Sequence, residues 1–574
     1  MPGSSQALTV CIVYNKSNIF GLAKDAELLA SQLPVAARKV GGRRVGPVKL
    51  MDSREPPVVC DIAIHLEVPY AVWFPWARSN VMLVNTEWWN QEAWGSYLDS
   101  FDVAIYRDST SLATAKVAKQ QARELLQLVW ATPFRSVTRT KESFNKQKGF
   151  AYFIGGSPNK RAAAEEYLPL WQENFPPLHV YVIEPLSSSL VVTSNVHIHV
   201  GLLDVKEKER LAAEAAGHVC WSKAESFGYT AAEAEQLGAF TLLNDLPCYK
   251  QSYSASVGVA WTEPTVESLT TAVDAFLSAD LQQLAIRCQA FAAERLNSFQ
   301  LGLGSLLAHC CDAIETREPV PKHMPPLLNP GDCPPISVVT LVHNRPEFIK
   351  NACLNLLSSD YPRDKIEWVI VDDSDPDKSP SDMIIQFEQQ FAPGRVVYIP
   401  LPRKRSIGFK RNTGVEKATA NILLMMDDDD HYPSTSFRRR VAYLLKGRKR
   451  YECATCTMIA MYDLMKGQSA VNVPPYSLSL AERCSEATLT FTRDFWKARP
   501  FPDVNMAEGE EFLKGRCSQI VEMPPQQIIV AMNHNSNSSS RRGLPNAGNG
   551  CFWGFERPLL EFLHGLVGIK VEAA

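Results

Sequence analysis

The sequence predicts an α/β protein whose sheets are largely parallel and covered by helices. Short β-branched runs alternate with stretches of helical period along both parts of the chain, the pattern of strands joined by crossover helices. At 574 residues the chain exceeds what one core can serve, and roughly 150 residues per domain gives about three or four domains. Seven prolines in EPVPKHMPPLLNPGDCPP (318–335) forbid helix and sheet ladders alike and mark a linker.

Composition bounds the function classes. With 45% apolar and 21% charged residues, the chain has the make-up of a soluble globular protein. A net charge of −3 argues against a broad basic face, so no nucleic-acid partner is expected. No apolar run approaches the roughly 20 residues of a membrane helix. The opening MPGSSQALTVCIVYN has no basic stretch ahead of an apolar one, so a cytoplasmic location with no transmembrane segment is the expectation. Fourteen irregularly spaced cysteines then read as reduced, mostly buried thiols, and the lone CxxC of Cys453 and Cys456 as strand packing.

The first strand is LTVCIVYN (8–15), followed by DIAIHLE (61–67), NVMLVN (80–85) and DVAIYR (102–107). A polar, poorly periodic stretch near 135–149 interrupts the series before FAYFIGG (150–156), LHVYVIE (178–184) and VHIHVG (196–201) resume it. The interruption divides this part into α/β domains at 1–145 and 146–315, with the linker at 316–335. Clefts between such domains, at strand carboxyl ends, are where these folds bind ligands. Glu225 and Glu233 are separated by seven residues, and Ser226 to Tyr229 form the entry to a helix whose free N–H groups and dipole favour a phosphate. Trp88, Trp89 and Trp94 read either as core or as an aromatic platform for a sugar.

The C-terminal part, 336–574, begins with the strand ISVVTLVHN (336–344) and a helix over 346–359. The strand IEWVIVDDSD (366–375) runs into Asp372 and Asp373, and PRKRSIGFKRNTGVEKATA (402–420) places Arg405, Lys410 and Arg411 around a helix start. The apolar run NILLMM (421–426) then leads directly into Asp427–Asp430. Strand side chains alternate faces, so Asp427 and Asp429 point together where the strand frays. Like charges so close cannot all stay ionised without a counter-charge, and a hard divalent cation supplies one. The order of the three groups describes a pocket with an acceptor for a base or ribose, cations for phosphates and a metal site. Taken alone, the aspartate run reads equally well as a solvated acidic loop.

The motifs VVTLVHNRPEF, EWVIVDDSD, GFKRNTG, LLMMDDDDHYP and AEGEEFLKGR, in that order over most of 336–540, resemble glycosyltransferase family 2, inverting enzymes on the GT-A fold that use nucleotide-activated sugars. The resemblance implies that Asp373, or its neighbour Asp372, contacts the nucleotide base and that Arg405 and Arg411 lie near the nucleotide. It implies Mn2+ or Mg2+ on the Asp427–Asp430 run, with Asp427, Asp429 and Asp430 as metal ligands and Asp428 at the nucleotide sugar. It also implies a general base at the acidic start of a helix, where Glu511 is the first choice beside Glu510. Glu508 shares a helix face with Glu511 and is the alternative acceptor-binding carboxylate. An exposed acidic first turn is the structural reading of the same residues. His534 is implied as a late histidine that closes the metal site or reaches the diphosphate. The QxxRW pattern of processive relatives is absent, which favours one sugar per encounter.

Upstream, KAESFGYTAAEAEQLGAFTLLND (223–245) looks like the E-x7-E signature of glycosyltransferase family 4, retaining GT-B enzymes that normally need no metal. FIGGSPNKR (153–161) is similar to that family's strand-to-loop entry. The resemblance implies Glu225, Phe227, Gly228 and Glu233 at a nucleotide sugar, Lys160 on its diphosphate with Arg161 beside it, and His65 on the acceptor side. The first 145 residues depart from the family: NKSNIFGLAKDAELLASQL carries Gly21 alone where a glycine-rich acceptor loop is expected.

The expectation for the whole is a bifunctional glycosyltransferase, with a GT-B module of two Rossmann-like domains, a Pro-rich linker and a GT-A module. UDP- or GDP-sugars are the expected donors and an oligosaccharide or glycan the acceptor. The first module is expected to retain configuration without a cofactor, and the second to invert it with a metal. The second reading keeps only the C-terminal module catalytic, with the N-terminal part as a glycan-binding or docking scaffold. A nucleotidyltransferase is disfavoured because TLVHNRPEF has no glycine-rich loop.

Overall fold

The computed structural model describes residues 7–571 apart from 19–20, 42–43, 56, 119–120, 133–138, 254–257, 316–325, 447–449 and 536–554. The beginning of the expected linker, 316–325, therefore lies outside the described residues. Two six-stranded sheets occupy the N-terminal part, and every strand pair in them is parallel. The first runs in the order Lys49–Asp52, Val10–Tyr14, Cys60–Leu66, Ala77–Leu83, Val103–Tyr106, Glu124–Gln127. The second runs Val259–Thr262, Phe240–Asn244, Gly217–Val219, Phe150–Gly155, Leu178–Val182, Val196–Val200. Strands covered by helices on both faces read as continuous apolar runs, and Val10–Tyr14 is buried at all five positions.

The two sheets are joined by a shared apolar cluster. The long helix Leu281–Glu315 packs against both Gly21–Lys39 and Tyr229–Leu237, so elements of both sheets meet on it. Leu33 and Leu29 of the first part and Phe227 and Tyr249 of the second lie in the same buried cluster as Phe299 and Leu303 of that helix.

The C-terminal part forms a seven-stranded mixed sheet in the order Arg395–Pro400, Ile366–Asp372, Ile336–Val342, Ile422–Met425, Thr490–Thr492, Cys453–Cys456, Ile520–Met523. A small sheet of Gln468–Asn472, Ile459–Asp463 and Val530–Asn533 lies beside it. The first four strands are mutually parallel, and Thr490–Thr492 is antiparallel to both its neighbours. Cys453 and Cys456 are both buried in their strand, as packed thiols.

The C-terminal module is docked on the first sheet's domain through a buried contact. Trp94 Nε1 donates to the Tyr476 carbonyl at 2.7 Å, and Tyr70 and Tyr476 meet edge to face. Buried Glu522 accepts from the Tyr97 hydroxyl, from Thr457 Oγ1 at 2.8 Å and from Arg483, whose nearest approach is 3.4 Å. No helix among the described residues is long and apolar enough to cross a membrane.

Candidate active site

The aspartate run leaves the carboxyl end of Ile422–Met425, the strand beside the first strand of the C-terminal sheet. Its backbone is pinned from two directions. Asn351 Nδ2 donates to the carbonyls of Asp428 (2.9 Å) and Asp430 (2.8 Å), and Asn355 Nδ2 to that of Asp430 (2.8 Å). From the other side the Met532 N–H donates to Asp430 Oδ1 at 2.9 Å. Tyr432 supplies its hydroxyl to the Asp427 N–H at 3.0 Å and donates it to the Ala487 carbonyl at 3.0 Å. Thus neighbouring elements fix the geometry of a loop whose own charges oppose it.

Asp427, Asp429 and Asp430 each offer a carboxylate oxygen within 4.8 Å of the other two. Asp428 turns instead to Arg345, whose guanidinium bridges Asp428 Oδ1 at 2.7 Å and Asp429 Oδ2 at 2.5 Å. His534 Nε2 stands 3.2 Å from Asp429 Oδ2, and its ring stacks on Phe348 with centroids 4.4 Å apart. Burial pushes the Asp428 carboxyl well up, with Asp429 and Asp427 adding to the rise and Arg345 opposing it. Asp428 Oδ2 is buried without a hydrogen-bond partner. The same two carboxylates keep Arg345 charged despite its burial.

Asp372 and Asp373 close the neighbouring strand. Asp372 accepts from the Ser374 N–H at 2.9 Å and the Tyr398 hydroxyl at 2.7 Å. Asp373 accepts from Lys410 Nζ at 2.7 Å and the Arg405 N–H at 2.8 Å, with His343 Nδ1 3.1 Å away. Arg405 thus contributes its backbone, while its guanidinium lies over the Phe409 ring at 4.5 Å. The helix Ile407–Lys417 that carries Lys410 and Arg411 is capped by Ser406 and starts close against Pro502–Val504, which leaves space only for glycine at 408.

The acidic helix Glu508–Leu513 does not present its carboxylates as expected from the sequence. Glu511 is 57% exposed and pairs with Lys514 at 3.1 Å on the solvent side, and Glu510 is only half-buried. Glu508 points inward and pairs with Arg411 Nε at 2.9 Å. A carboxylate not singled out from the sequence stands next to it: Glu486 fills the space beside Gly509, where a Cβ would lie 2.7 Å from Glu486 Cγ and 2.9 Å from its Oε1. Burial and the charge of Glu508 push Glu486 up to about 7, against the pull of Arg411. Glu508 and Glu486 therefore face the site, and the first-choice Glu511 does not. The sequence held no signal for Glu486, a single glutamate in RCSEATL. Arg345 was also missed, although it stands in the first motif, VVTLVHNRPEF.

In the N-terminal part, Lys160 Nζ lies 3.4 Å from Glu225. Glu233 is clasped by Lys24 and by Lys208, the latter at 2.9 Å. Although burial works against its charge, these ammonium groups hold Glu233 well below the usual carboxylate range. Glu225 precedes the helix Tyr229–Leu237 that bears Glu233, and Gly228 caps it with φ +83°, a left-handed conformation that suits glycine. Phe227 is buried in the shared core. Arg161 does not join the group, because its guanidinium binds the carbonyls of Glu184 and Pro185. His65 is fully buried, accepts the Tyr70 N–H at Nδ1 and is packed by Phe74 and Phe101. It sits in the core of the first domain, not in a cleft.

Residues 337–472 match the family model Glycosyl transferase family 2. Among solved structures, the chain is similar to mannosyltransferase PcManGT from Pyrobaculum calidifontis in complex with GDP-Man and Mn2+, at 16% identity, over 37% of this chain and 60% of that one, with a TM-score of 0.29. It is likewise similar to S. aureus TarS 1-349 in complex with UDP-GlcNAc, at 16% identity over 35% and 60% of the two chains, with a TM-score of 0.28. The chain spans about 60% of the length of each of these structures. A search of curated protein sequences found no match. The C-terminal part therefore carries a glycosyl transferase family 2 domain over residues 337–472.

Proposed function

We propose that the C-terminal module transfers a single sugar from a UDP- or GDP-sugar to a glycan hydroxyl with inversion of configuration. The convergence of Asp427, Asp429 and Asp430 at a strand's carboxyl end, beside Arg345 and His534, carries this reading. Three hard oxygen donors this close fit Mn2+ or Mg2+, with His534 behind Asp429. Such an ion, when bound, neutralises charge on the departing diphosphate. Asp372 and Asp373, held by Tyr398 and Lys410, order the nucleotide side of the pocket. Arg345 is the counter-charge of Asp428 and Asp429 and a cation that a donor's phosphates could meet beside the cluster.

Glu486 is the general base of this scheme, accepting the proton of the acceptor hydroxyl as that oxygen attacks the anomeric carbon. It is partly open to solvent and ionises near neutral pH, whereas Glu508 is engaged by Arg411. Formation of the inverted product by the intact chain should be abolished by EDTA and restored by Mn2+, whatever the N-terminal part does. Full yield of that product in EDTA would sink the metal-dependent reading.

For the N-terminal part we infer a GT-B arrangement, supported by the paired six-stranded parallel sheets and by the approach of Lys160 to Glu225. On this reading it is a second, retaining and metal-independent transferase. The clasp of Glu233 by Lys24 and Lys208 favours a scaffold instead. Alanine at both Glu225 and Glu233 in the full chain decides between them. Loss of one of two products supports two activities, and an unchanged product supports the scaffold.

A further inference from the structure

We propose that the edge of the second sheet carries a site for a borderline transition-metal ion of the Zn2+, Ni2+ or Cu2+ class, built on His179 and His199. The parallel strands Leu178–Val182 and Val196–Val200 pair in a register that sets His179 opposite His197 and Tyr181 opposite His199. Paired residues of parallel neighbours share a face, as do residues two apart, so all three imidazoles stand on one side of the sheet. His179 Nδ1 and His199 Nε2 approach to 3.2 Å. Two nitrogens bound to one tetrahedral zinc at about 2.0–2.1 Å lie about 3.3 Å apart, so the pair already has the spacing of two ligands.

The surroundings hold this spacing in place. His199 stacks on Tyr181 at 4.8 Å, and Tyr181 stacks on Phe153 at 4.9 Å. His179 stacks on His197 at 5.0 Å, which makes His197 the nearest further imidazole. Glu214 lines the same shallow recess as His179 and Tyr181 and is paired with Arg210 at 2.6 Å. Val196–Val200 is the last strand of its sheet, and His197 and His199 are exposed, so an ion has access and water can fill its remaining positions. Imidazole nitrogen selects ions of this class, whereas the hard oxygens of Asp427, Asp429 and Asp430 suit Mn2+ or Mg2+.

The test uses the full chain without a polyhistidine tag, titrated calorimetrically with Zn2+ in excess Mg2+ so that the aspartate cluster is masked. One bound Zn2+ is expected, weakened at least tenfold by His179→Ala and by His199→Ala. Electron paramagnetic resonance with one equivalent of Cu2+ should show nitrogen hyperfine splitting that both substitutions remove. These are surface side chains, and an unchanged thermal midpoint without metal verifies that each variant is folded. No Zn2+ binding by the unaltered chain, or equal binding by both variants, overturns the site and leaves the two rings joined only by a shared proton.

Discussion

Arg345 resolves the charge problem that the aspartate run creates, by placing a guanidinium across Asp428 and Asp429. Removing one partner of a buried ion pair strands the other, and such losses reach about 3–5 kcal/mol. Arg345 keeps some exposure, so Arg345→Ala should fall at or below the lower end of that range in chemical denaturation. The same substitution releases Asp429 from the guanidinium while leaving it beside His534, so Mn2+ should raise the thermal midpoint of Arg345→Ala more than that of the unaltered chain. An equal rise would mean that the arginine and the ion do not compete. Glu486 yields a second expectation. Glu486→Gln keeps the shape and removes the proton acceptor, so transfer should fall by about 10²–10⁴-fold, the usual contribution of a positioned base. Binding of UDP with Mn2+ should be unchanged, and Glu511→Gln should be close to normal, because Glu511 faces solvent. The transfer rate of the unaltered chain should rise with pH through about 7, where Glu486 loses its proton. Stability moves the other way. The folded-state pKa of Glu486 lies above its ordinary 4.5, so the native chain holds the extra proton between about 4.5 and 7, and stability falls as pH rises through that window.

Helix starts do much of the positioning in the C-terminal module, and Gly509 shows how. It is the second residue of Glu508–Leu513, and its missing Cβ leaves the space that Glu486 occupies. Gly509→Ala should improve the helix's intrinsic propensity yet push Glu486 aside. A displacement on the order of 1 Å at a reacting group costs about 10²-fold in rate, so activity should drop by roughly that factor while the thermal midpoint holds. A variant with normal turnover would show that Glu486 is not the base. This contact also marks the limit of sequence reading. Strand runs such as ISVVTLVHN and IEWVIVDDSD were legible because buried parallel strands are continuously apolar, and the aspartates were legible because four in a row are rare at such a junction. Five N-terminal strands were not: Lys49–Asp52, Glu124–Gln127, Gly217–Val219, Phe240–Asn244 and Val259–Thr262. Lys49–Asp52 and Glu124–Gln127 begin and end on charged or polar residues, and Gly217–Val219 is only three residues long, so no apolar run marks them as it marks the strands that were read. The choice of Glu511 followed the family pattern of an acidic pair at a helix start, but that pattern does not say which face of a short helix is covered. Glu486 is far from any motif in sequence and reaches the site only through tertiary packing.

The two halves of the chain are joined by more than a proline-rich connection, because Met458, Val471, Val473 and Tyr476 of the C-terminal module close over Val13, Tyr70 and Trp73 of the first domain. A flexible tether would raise the effective concentration of one module at the other and nothing more. A shared buried core makes their folding interdependent instead. Glu522 is the test position, since it accepts from Tyr97 across the contact and from Thr457 and Arg483 on its own side. Glu522→Ala leaves the Arg483 guanidinium buried beside Tyr97 with no carboxylate, a situation that costs about 3–5 kcal/mol. Glu522→Gln keeps an acceptor oxygen, and the loss should shrink to about 1–3 kcal/mol. Urea unfolding followed separately by tryptophan fluorescence and by proteolysis of each half should show one coincident transition, shifted as a whole by either substitution. Two transitions, with only the C-terminal one moved by Glu522→Ala, would establish that the modules fold independently and that this buried contact does not couple them.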